Sequence, residues 1–214
     1  MNVALRIVAS LLALLVPAAA LADTPKEREW RFQVLLDGSP IGSQVFRETR
    51  DGESSRVSIE ASFDVKLLFF TAYSYRHRNE ETWEGGCLKS MKSTTDDNGK
   101  AFRVDARPAG DGLVVETLEG REELPGCIDS FAYWNPTELR SPRLLNSQTG
   151  KWEEVTLRER GEETVTYKGQ PTRARRVAIV GNDLDINLWY TGDDDWIALE
   201  STLTSGRKLY YARQ

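Results

Sequence analysis

The sequence predicts an all-β fold, mainly antiparallel, in which about a dozen strands form a curved meander sheet, a barrel or a half-barrel with at most one short helix. Three observations lead to this prediction. Turn-forming dipeptides recur at short intervals, the segments between them alternate apolar with polar residues, and no long segment has helical periodicity. So many strands exceed what a flat sheet holds, and we therefore expect curling, closure or two packed layers.

The strands follow from the turn signals and from the alternation between them. Asp-Gly and Asn-Gly pairs, which adopt the positive φ of two-residue hairpin turns, stand at 37–38, 51–52, 98–99 and 111–112. Apolar faces with a period of two residues, which predict half-buried strands, run through 30–36, 57–65, 102–106 and 184–190. One segment, residues 134–146, departs from this pattern. Asn135 can cap a helix, Pro136 suits the first helical position and Pro142 would end the helix, so this segment allows one short helix.

The N-terminal residues have the features of a secretory signal peptide. Arg6 supplies a positive charge, residues 7–16 form an apolar core, and Ala22 ends a small-x-small site. The segment is too short for a permanent membrane anchor. We predict that residues 1–22 are a signal peptide, cleaved after Ala22, and that residues 23–214 form a single β-rich domain exported to the periplasm.

The charge and the remaining apolar segments limit the partners. The formal net charge of −5 argues against a nucleic acid or an anionic membrane surface as the main partner. No later apolar segment approaches the ~20 residues of a membrane helix, so we predict a soluble mature chain with no transmembrane segment.

The chain has two cysteines, Cys87 and Cys127. An oxidising compartment favours their pairing, and closing a loop of about 40 residues would stabilise the protein by roughly 4 kcal/mol. The alternative is a redox or nucleophilic thiol. Because the sequence has no C-x-x-C motif, we predict a disulfide.

The most chemically varied segment is YSYRHRNEETWEGGC, residues 73–87, which holds the only histidine, His77. Glu80 and Glu81 point to opposite faces of a strand, so they cannot form a paired-carboxylate site. His77 and Glu81 share a face but are roughly 13 Å apart, whereas a hydrogen-bonded dyad needs about 3 Å. A dyad would need a carboxylate from a neighbouring strand. The strand period places six residues on one face: Tyr73, Tyr75, His77, Asn79, Glu81 and Trp83.

This face has two interpretations. It is either a sheet face near the rim, with its polar tips satisfied by neighbours or water, or the lining of a pocket in which aromatic rings supply contact area and polar groups orient a ligand. The adjacent run Leu67–Phe70 is similarly ambiguous. It forms either an exposed apolar lip or part of a strand that is buried on both faces.

The other motifs do not indicate chemistry. The aspartates of GDDDW, residues 192–196, are of a residue type that binds calcium, but consecutive residues on a turn rarely converge on one ion. The sequence has no nucleophile elbow, P-loop, dinucleotide fingerprint or H-E-x-x-H motif. We predict no catalytic residues, no metal site and no cofactor.

Four blocks resemble a family of uncharacterised exported bacterial β-rich proteins, a domain of unknown function. They are FQVLLDGSPIGSQVF, VKLLFFTAYSYRHRNEETWEGGCLKSMKSTTDDNGK, FAYWNPTELRSPRLLNSQTGKWEEV and LDINLWYTGDDDWIALESTLTSGRKLYY, and they span nearly the whole mature chain. The resemblance implies an antiparallel, barrel-like or half-barrel sheet similar to periplasmic lipid-handling folds. It implies no activity. GDDDW departs from the Asp-Gly type of turn that is usual in such proteins.

The leading functional hypothesis is a non-enzymatic exported protein that binds a hydrophobic or amphipathic, lipid-like ligand in the curved sheet, with aromatic residues lining the cavity and His77 and Glu81 orienting a polar head. The alternative is an envelope structural or protein-interaction module, with no small-molecule ligand, that docks an envelope protein through a sheet edge or the Leu67–Phe70 lip. A hydrolase built on His77 is the third hypothesis. The direction of the lip, into a cavity or into solvent, separates the first two. The predicted ligand-binding residues are Phe69, Phe70, Tyr73, Tyr75, His77, Glu81, Trp83, Tyr133 and Trp134.

Overall fold

The computed structural model describes residues 24–67, 69–137, 139 and 141–214. The predicted signal peptide lies outside these residues. In the described part every regular element is a β-strand, and no helix there is long and apolar enough to cross a bilayer. The strands are β1 (Lys26–Leu36), β2 (Ser39–Asp51), β3 (Ser54–Leu67), β4 (Phe70–Glu84), β5 (Cys87–Asp97), β6 (Lys100–Ala109), β7 (Gly112–Thr117), β8 (Arg121–Leu124), β9 (Asp129–Ser130), β10 (Arg143–Leu145), β11 (Trp152–Glu154), β12 (Thr156–Tyr167), β13 (Gln170–Val180), β14 (Asp185–Tyr190), β15 (Trp196–Thr202) and β16 (Lys208–Arg213).

Thirteen strands form one antiparallel sheet in the order β12-β13-β14-β15-β16-β1-β2-β3-β4-β5-β6-β7-β8. Pairing of β16 with β1 brings the two ends of the described chain together in the middle of this sheet. A second sheet has the order β11-β10-β9 and contains the one parallel pair found among the described strands, β9 with β10. The predicted all-β, mainly antiparallel fold is confirmed.

The alternation read from the sequence corresponds to the two faces of the large sheet. In β1, Trp30, Phe32, Val34 and Leu36 are all buried. The hairpin between β5 and β6 turns through Asn98 (φ 52°) and Gly99 (φ 89°), as expected for an Asn-Gly pair. Buried side chains from β1–β7 and β13–β15 belong to one core cluster, so distant strands pack against one another and the sheet is curved.

Residues 125–155, which we call the inner segment, connect β8 to β12 and carry the small sheet. Ile128, Trp134, Leu144 and Leu145 of this segment are buried in the same core cluster as the large sheet. In the described part, β8 and β12 do not pair with each other, so the sheet is open and the inner segment fills its concave side.

The predicted disulfide is confirmed and ties the inner segment to the large sheet. The sulfur atoms of Cys87 and Cys127 are 2.03 Å apart and their Cα atoms 5.2 Å apart. Beside the disulfide, the Leu88 amide donates a hydrogen bond of 2.9 Å to the Ile128 carbonyl. One end of the inner segment is therefore held to β5 covalently and by the backbone.

The short helix that residues 134–146 allow does not form in their described part, which consists of turns followed by β10. The Asn135 side-chain oxygen accepts a hydrogen bond of 2.7 Å from the Thr137 hydroxyl, instead of capping a helix. Beyond Pro142 the chain is extended and forms β10. The consecutive residues Leu144 and Leu145 point to opposite faces of this strand, and both are buried because the strand is covered on both faces.

The antiparallel order collects alternate turns at one end of the large sheet. We call this the mouth end. It carries the β1–β2, β3–β4, β5–β6, β7–β8, β13–β14 and β15–β16 turns.

Candidate functional site

A cavity of about 780 Å³ lies between the concave face of the large sheet and the inner segment. Its lining reaches Leu36, Val65, Leu203 and Arg207, which adjoin turns at the mouth end. The volume falls within the range of about 300–1,000 Å³ that is typical of small-molecule sites.

Aromatic rings form the deep wall of the cavity. Trp196 contacts Phe46 with a centroid distance of 4.9 Å and Tyr133 with one of 5.5 Å. Nearer the mouth, Phe63 stacks on Tyr75 at 5.3 Å. Trp196 and Phe46 are almost fully buried, so this wall has a fixed shape.

A chain of hydrogen bonds forms the polar wall. The Tyr73 hydroxyl donates to Asp97 Oδ1 (2.7 Å), and Gln148 Nε2 donates to Asp97 Oδ2 (3.2 Å). The Tyr75 hydroxyl donates to Gln148 Oε1 (2.9 Å). Burial, followed by the nearby Asp97 charge, raises the pKa of Tyr73 above its usual range. Both phenols therefore stay protonated at neutral pH and serve as hydrogen-bond donors.

Gln148 reaches this wall from the turn between β10 and β11. Asn146 Oδ1 accepts hydrogen bonds from the backbone amides of Gln148 (2.9 Å) and Thr149 (3.2 Å). Gly150 has a φ of 74°, and a Cβ there would stand 2.4 Å from the Thr117 methyl carbon. The turn therefore needs a glycine at its end to place Ser147 and Gln148 in the cavity.

His77 lies deeper, on the same face of β4 as Tyr75. Its Nδ1 is 2.8 Å from the Thr95 hydroxyl and its Nε2 is 3.4 Å from the Ser147 hydroxyl. Burial lowers the pKa of His77 from 6.5 to about 4, so the ring is neutral at pH 7. A hydrolase built on His77 would need a carboxylate from a neighbouring strand, and the described neighbour at Nδ1 is a threonine.

Glu81 borders the cavity but its oxygens are occupied by protein donors. Asn79 Nδ2 donates to Oε1 (2.7 Å), Trp83 Nε1 to Oε2 (2.8 Å), and the Ser130 hydroxyl lies within 3.2 Å of both oxygens. Burial raises the pKa of Glu81, against the effect of these donors. Because Ser130 is in β9, Glu81 holds the inner segment against β4.

We expect the stability of the protein to depend on the titration of His77. The folded pKa is lower than the unfolded one, so this residue contributes stability above pH 6.5 that is lost as the pH falls toward about 4, a loss of roughly 3 kcal/mol. The raised pKa of Glu81 acts in the opposite direction, because it destabilises the fold as the pH rises.

The contribution of His77 is therefore measured as the difference in stability between the wild type and a variant that lacks this histidine. Urea unfolding of the wild type and of His77→Gln, which keeps Glu81, is compared from pH 4 to pH 7. The stability of the wild type should fall more steeply on acidification. Parallel curves would show that His77 does not titrate as the structure indicates.

The predicted ligand-binding residues occupy three different places. Tyr73, Tyr75, His77, Glu81 and Tyr133 line the cavity. Trp83 and Trp134 are buried in the core, where their rings pack edge to face at 6.3 Å, and are outside the lining. Phe69 and Phe70 lie at the β3–β4 turn with exposed fractions of 103% and 58%.

In the Leu67–Phe70 run, the side chains of Phe69 and Phe70 are described, and both are exposed as a lip. The alternative, a strand buried on both faces, does not hold for Phe69 and Phe70. Leu68 and the side chain of Leu67 lie outside the described part of the structure.

Sequence reasoning missed the lining residues contributed by other elements. Phe63 belongs to the apolar face predicted for residues 57–65, so the two-residue period could have identified it as a lining residue. Asp97, Gln148 and Trp196 had no such signal, because only the packing of the inner segment and distant strands brings them to Tyr73 and Tyr75.

Two of the three aspartates of GDDDW, Asp194 and Asp195, form contacts that fix the β14–β15 turn. Asp194 forms an ion pair with Arg175 (2.7 Å). Asp195 accepts a hydrogen bond from Trp30 Nε1 (3.2 Å) and lies 3.4 Å from the Arg213 guanidinium. Among the described residues, no three acidic, histidine or cysteine side chains are grouped as metal ligands.

Comparison with known proteins identifies the family but no activity. No curated protein matches the chain. The crystal structure of a β-barrel-like protein of a domain of unknown function, DUF1849, from Brucella abortus is similar in fold, with a TM-score of 0.64 over 89% of this chain and 96% of that one, at 12% identity. A family model, Domain of unknown function (DUF6134), matches residues 32–214. The chain therefore belongs to the DUF6134 family of uncharacterised β-rich proteins.

Proposed function

We propose that this protein is a non-enzymatic, exported binder of a hydrophobic or amphipathic, lipid-like molecule, which it holds in the cavity. The observation that carries the proposal is the division of the lining into an aromatic wall and a polar wall. Ligand sites combine large apolar contact area with a few oriented polar groups, and this cavity has both in a suitable volume.

The two walls indicate how such a ligand would lie. Its apolar body would contact the rings of Phe46, Tyr133 and Trp196. Its polar head would meet Tyr75 and His77, which supply neutral hydrogen-bonding groups. Burying an uncompensated charge is costly, so the uncharged Tyr75 and His77 favour a neutral, hydrogen-bonding head over an anionic one.

The proposed location is the periplasm. The signal-peptide features of residues 1–22 support export, and the Cys87–Cys127 disulfide is of the kind that persists in oxidising compartments.

The second candidate is an envelope interaction module with no small-molecule ligand. The exposure of Phe69 and Phe70 favours it, because aromatic side chains in solvent mark surfaces that bind another molecule. Under this hypothesis the cavity would be empty in the cell.

Purified periplasmic protein should carry a stoichiometric adduct in native mass spectrometry, and organic solvent should extract it. In Tyr75→Ala/His77→Ala we expect the ligand-bound fraction to fall at least about tenfold, because two ring contacts and two polar partners are removed.

The matched control is Ser74→Ala/Arg78→Ala, which changes the opposite face of the same strand. Unchanged ligand retention in Tyr75→Ala/His77→Ala would reject the cavity as the binding site. A wild-type protein with no adduct would favour the interaction module.

A further inference from the structure

Exposed large apolar side chains collect at the mouth end. Among the described residues these are Phe69, Phe70, Leu118 and Leu203. All four stand at or beside turns that the antiparallel order places at this one end of the sheet. Isolated exposed apolar residues are common on protein surfaces. Apolar residues that are grouped at one end of the sheet, where a cavity opens, instead indicate an interaction surface.

The β3–β4 turn projects beyond the β5–β6 turn, which lies beside it in the sheet. The β5–β6 turn ends level with Ser74, whose carbonyl accepts a hydrogen bond of 2.8 Å from the Asn98 amide. β4 begins at Phe70, four residues earlier, which corresponds to roughly 13 Å of extended chain. Phe69 and Phe70 therefore form the tip of a hairpin that extends beyond the β5–β6 turn.

Leu203 lies across the mouth from this tip. It belongs to the β15–β16 turn, which is four strands from the β3–β4 turn in the sheet order, or roughly 19 Å along the sheet. Leu203 lines the cavity, as does Ala72 beside the hairpin tip. Leu118 is set back from the mouth relative to the β5–β6 turn. The residue before it, Thr117, pairs with Val104, which is four residues inside the start of β6.

Two ion pairs compensate charges near the mouth, and the exposed Lys66 adds a cation beside the hairpin tip. Arg207 pairs with Asp37 (2.6 Å), and Lys208 pairs with Glu200 (2.7 Å). Because salt screens a single exposed cation, a surface that meets this rim gains little from carrying a net charge.

We propose that the rim formed by Phe69, Phe70 and Leu203 docks on the surface of a zwitterionic phospholipid bilayer, with the mouth of the cavity facing the lipid. Two apolar points separated across an opening suit a planar, deformable surface, whereas a protein partner would need matching pockets at both points. Aromatic and leucine side chains insert readily at the boundary between headgroups and acyl chains. This inference goes beyond ligand binding and holds whether or not the cavity is occupied.

The test is flotation of the purified protein with neutral phosphatidylcholine vesicles at low and high salt. The N-terminus is first checked by mass, because retained residues 7–16 would themselves bind lipid. We expect the wild type to float at both salt concentrations. Phe69→Ser/Phe70→Ser should bind at least about tenfold more weakly, since it loses two apolar contacts. Tyr167→Ser, which removes an aromatic ring from the opposite end of the sheet, should float like the wild type.

Three results would overturn the proposal. They are a wild type that stays unbound, equal flotation of Phe69→Ser/Phe70→Ser, or binding confined to anionic phosphatidylglycerol vesicles and abolished by salt. Capture of one envelope protein through Phe69 and Phe70, without vesicle binding, would assign the rim to a protein partner. Tyr75→Ala/His77→Ala separates this proposal from the cavity proposal. It should still float, so loss of its ligand bears on the cavity alone.

Discussion

Replacing Glu81 with alanine is expected to lower the free energy of unfolding by about 3–5 kcal/mol. The substitution leaves the buried donors of Asn79, Trp83 and Ser130 without an acceptor and opens a void between β4 and the inner segment. Urea unfolding at pH 7 measures the effect. Glu81→Gln should cost less, about 1–3 kcal/mol, because its amide nitrogen places a donor against a donor while the volume is kept.

The neighbouring residue provides the control. Glu80 is exposed on the opposite face of β4, so Glu80→Ala should change the stability by no more than about 0.5 kcal/mol. If Glu81→Ala unfolded like Glu80→Ala, Glu81 would not be a structural anchor. Its oxygens would then be better regarded as available to a ligand, as the sequence-based hypothesis assigned them.

Removing the disulfide is the second change with a large expected effect. Cys87→Ser/Cys127→Ser should be less stable by about 2–4 kcal/mol, because a cross-link between residues separated by 40 positions restricts the unfolded chain. Since Cys127 lies near the start of the inner segment, the loss should also loosen the cover of the cavity and lower retention of the proposed ligand.

The redox state offers an independent check. Reductant should shift the urea midpoint of the wild type to that of Cys87→Ser/Cys127→Ser and leave the midpoint of the double variant unchanged. If reductant left the urea midpoint of the wild type unchanged, the inner segment would be held without the cross-link. The hydrogen bond between Leu88 and Ile128 and the packing around it would then be sufficient.

The two functional hypotheses are not separated by the direction of the lip alone. Phe69 and Phe70 face solvent, as the interaction module requires, yet a cavity lined by Tyr73, Tyr75 and His77 lies behind them. Bilayer docking would account for both features, because it gives the exposed pair a role beside the proposed ligand site.

The sequence determined the strands and their inward faces. Trp30 to Leu36 and Tyr73 to Trp83 alternate with the period of a strand, and burial of the apolar face leaves one permitted orientation. The pairing of Cys87 with Cys127 was equally accessible, because a chain with two cysteines has one way to pair them within itself, and the predicted export favours a disulfide.

Only the tertiary structure decided what these faces enclose. Tyr75, His77 and Glu81 each have one partner in the inner segment, namely Gln148, Ser147 and Ser130, which lie far along the chain and reach β4 through the fold of that segment. Alternation fixes the face on which a side chain lies, but it carries no information about the segment packed opposite. That is why the polar face of β4 was found from the sequence, whereas the opposite wall of the cavity and the anchoring role of Glu81 were not.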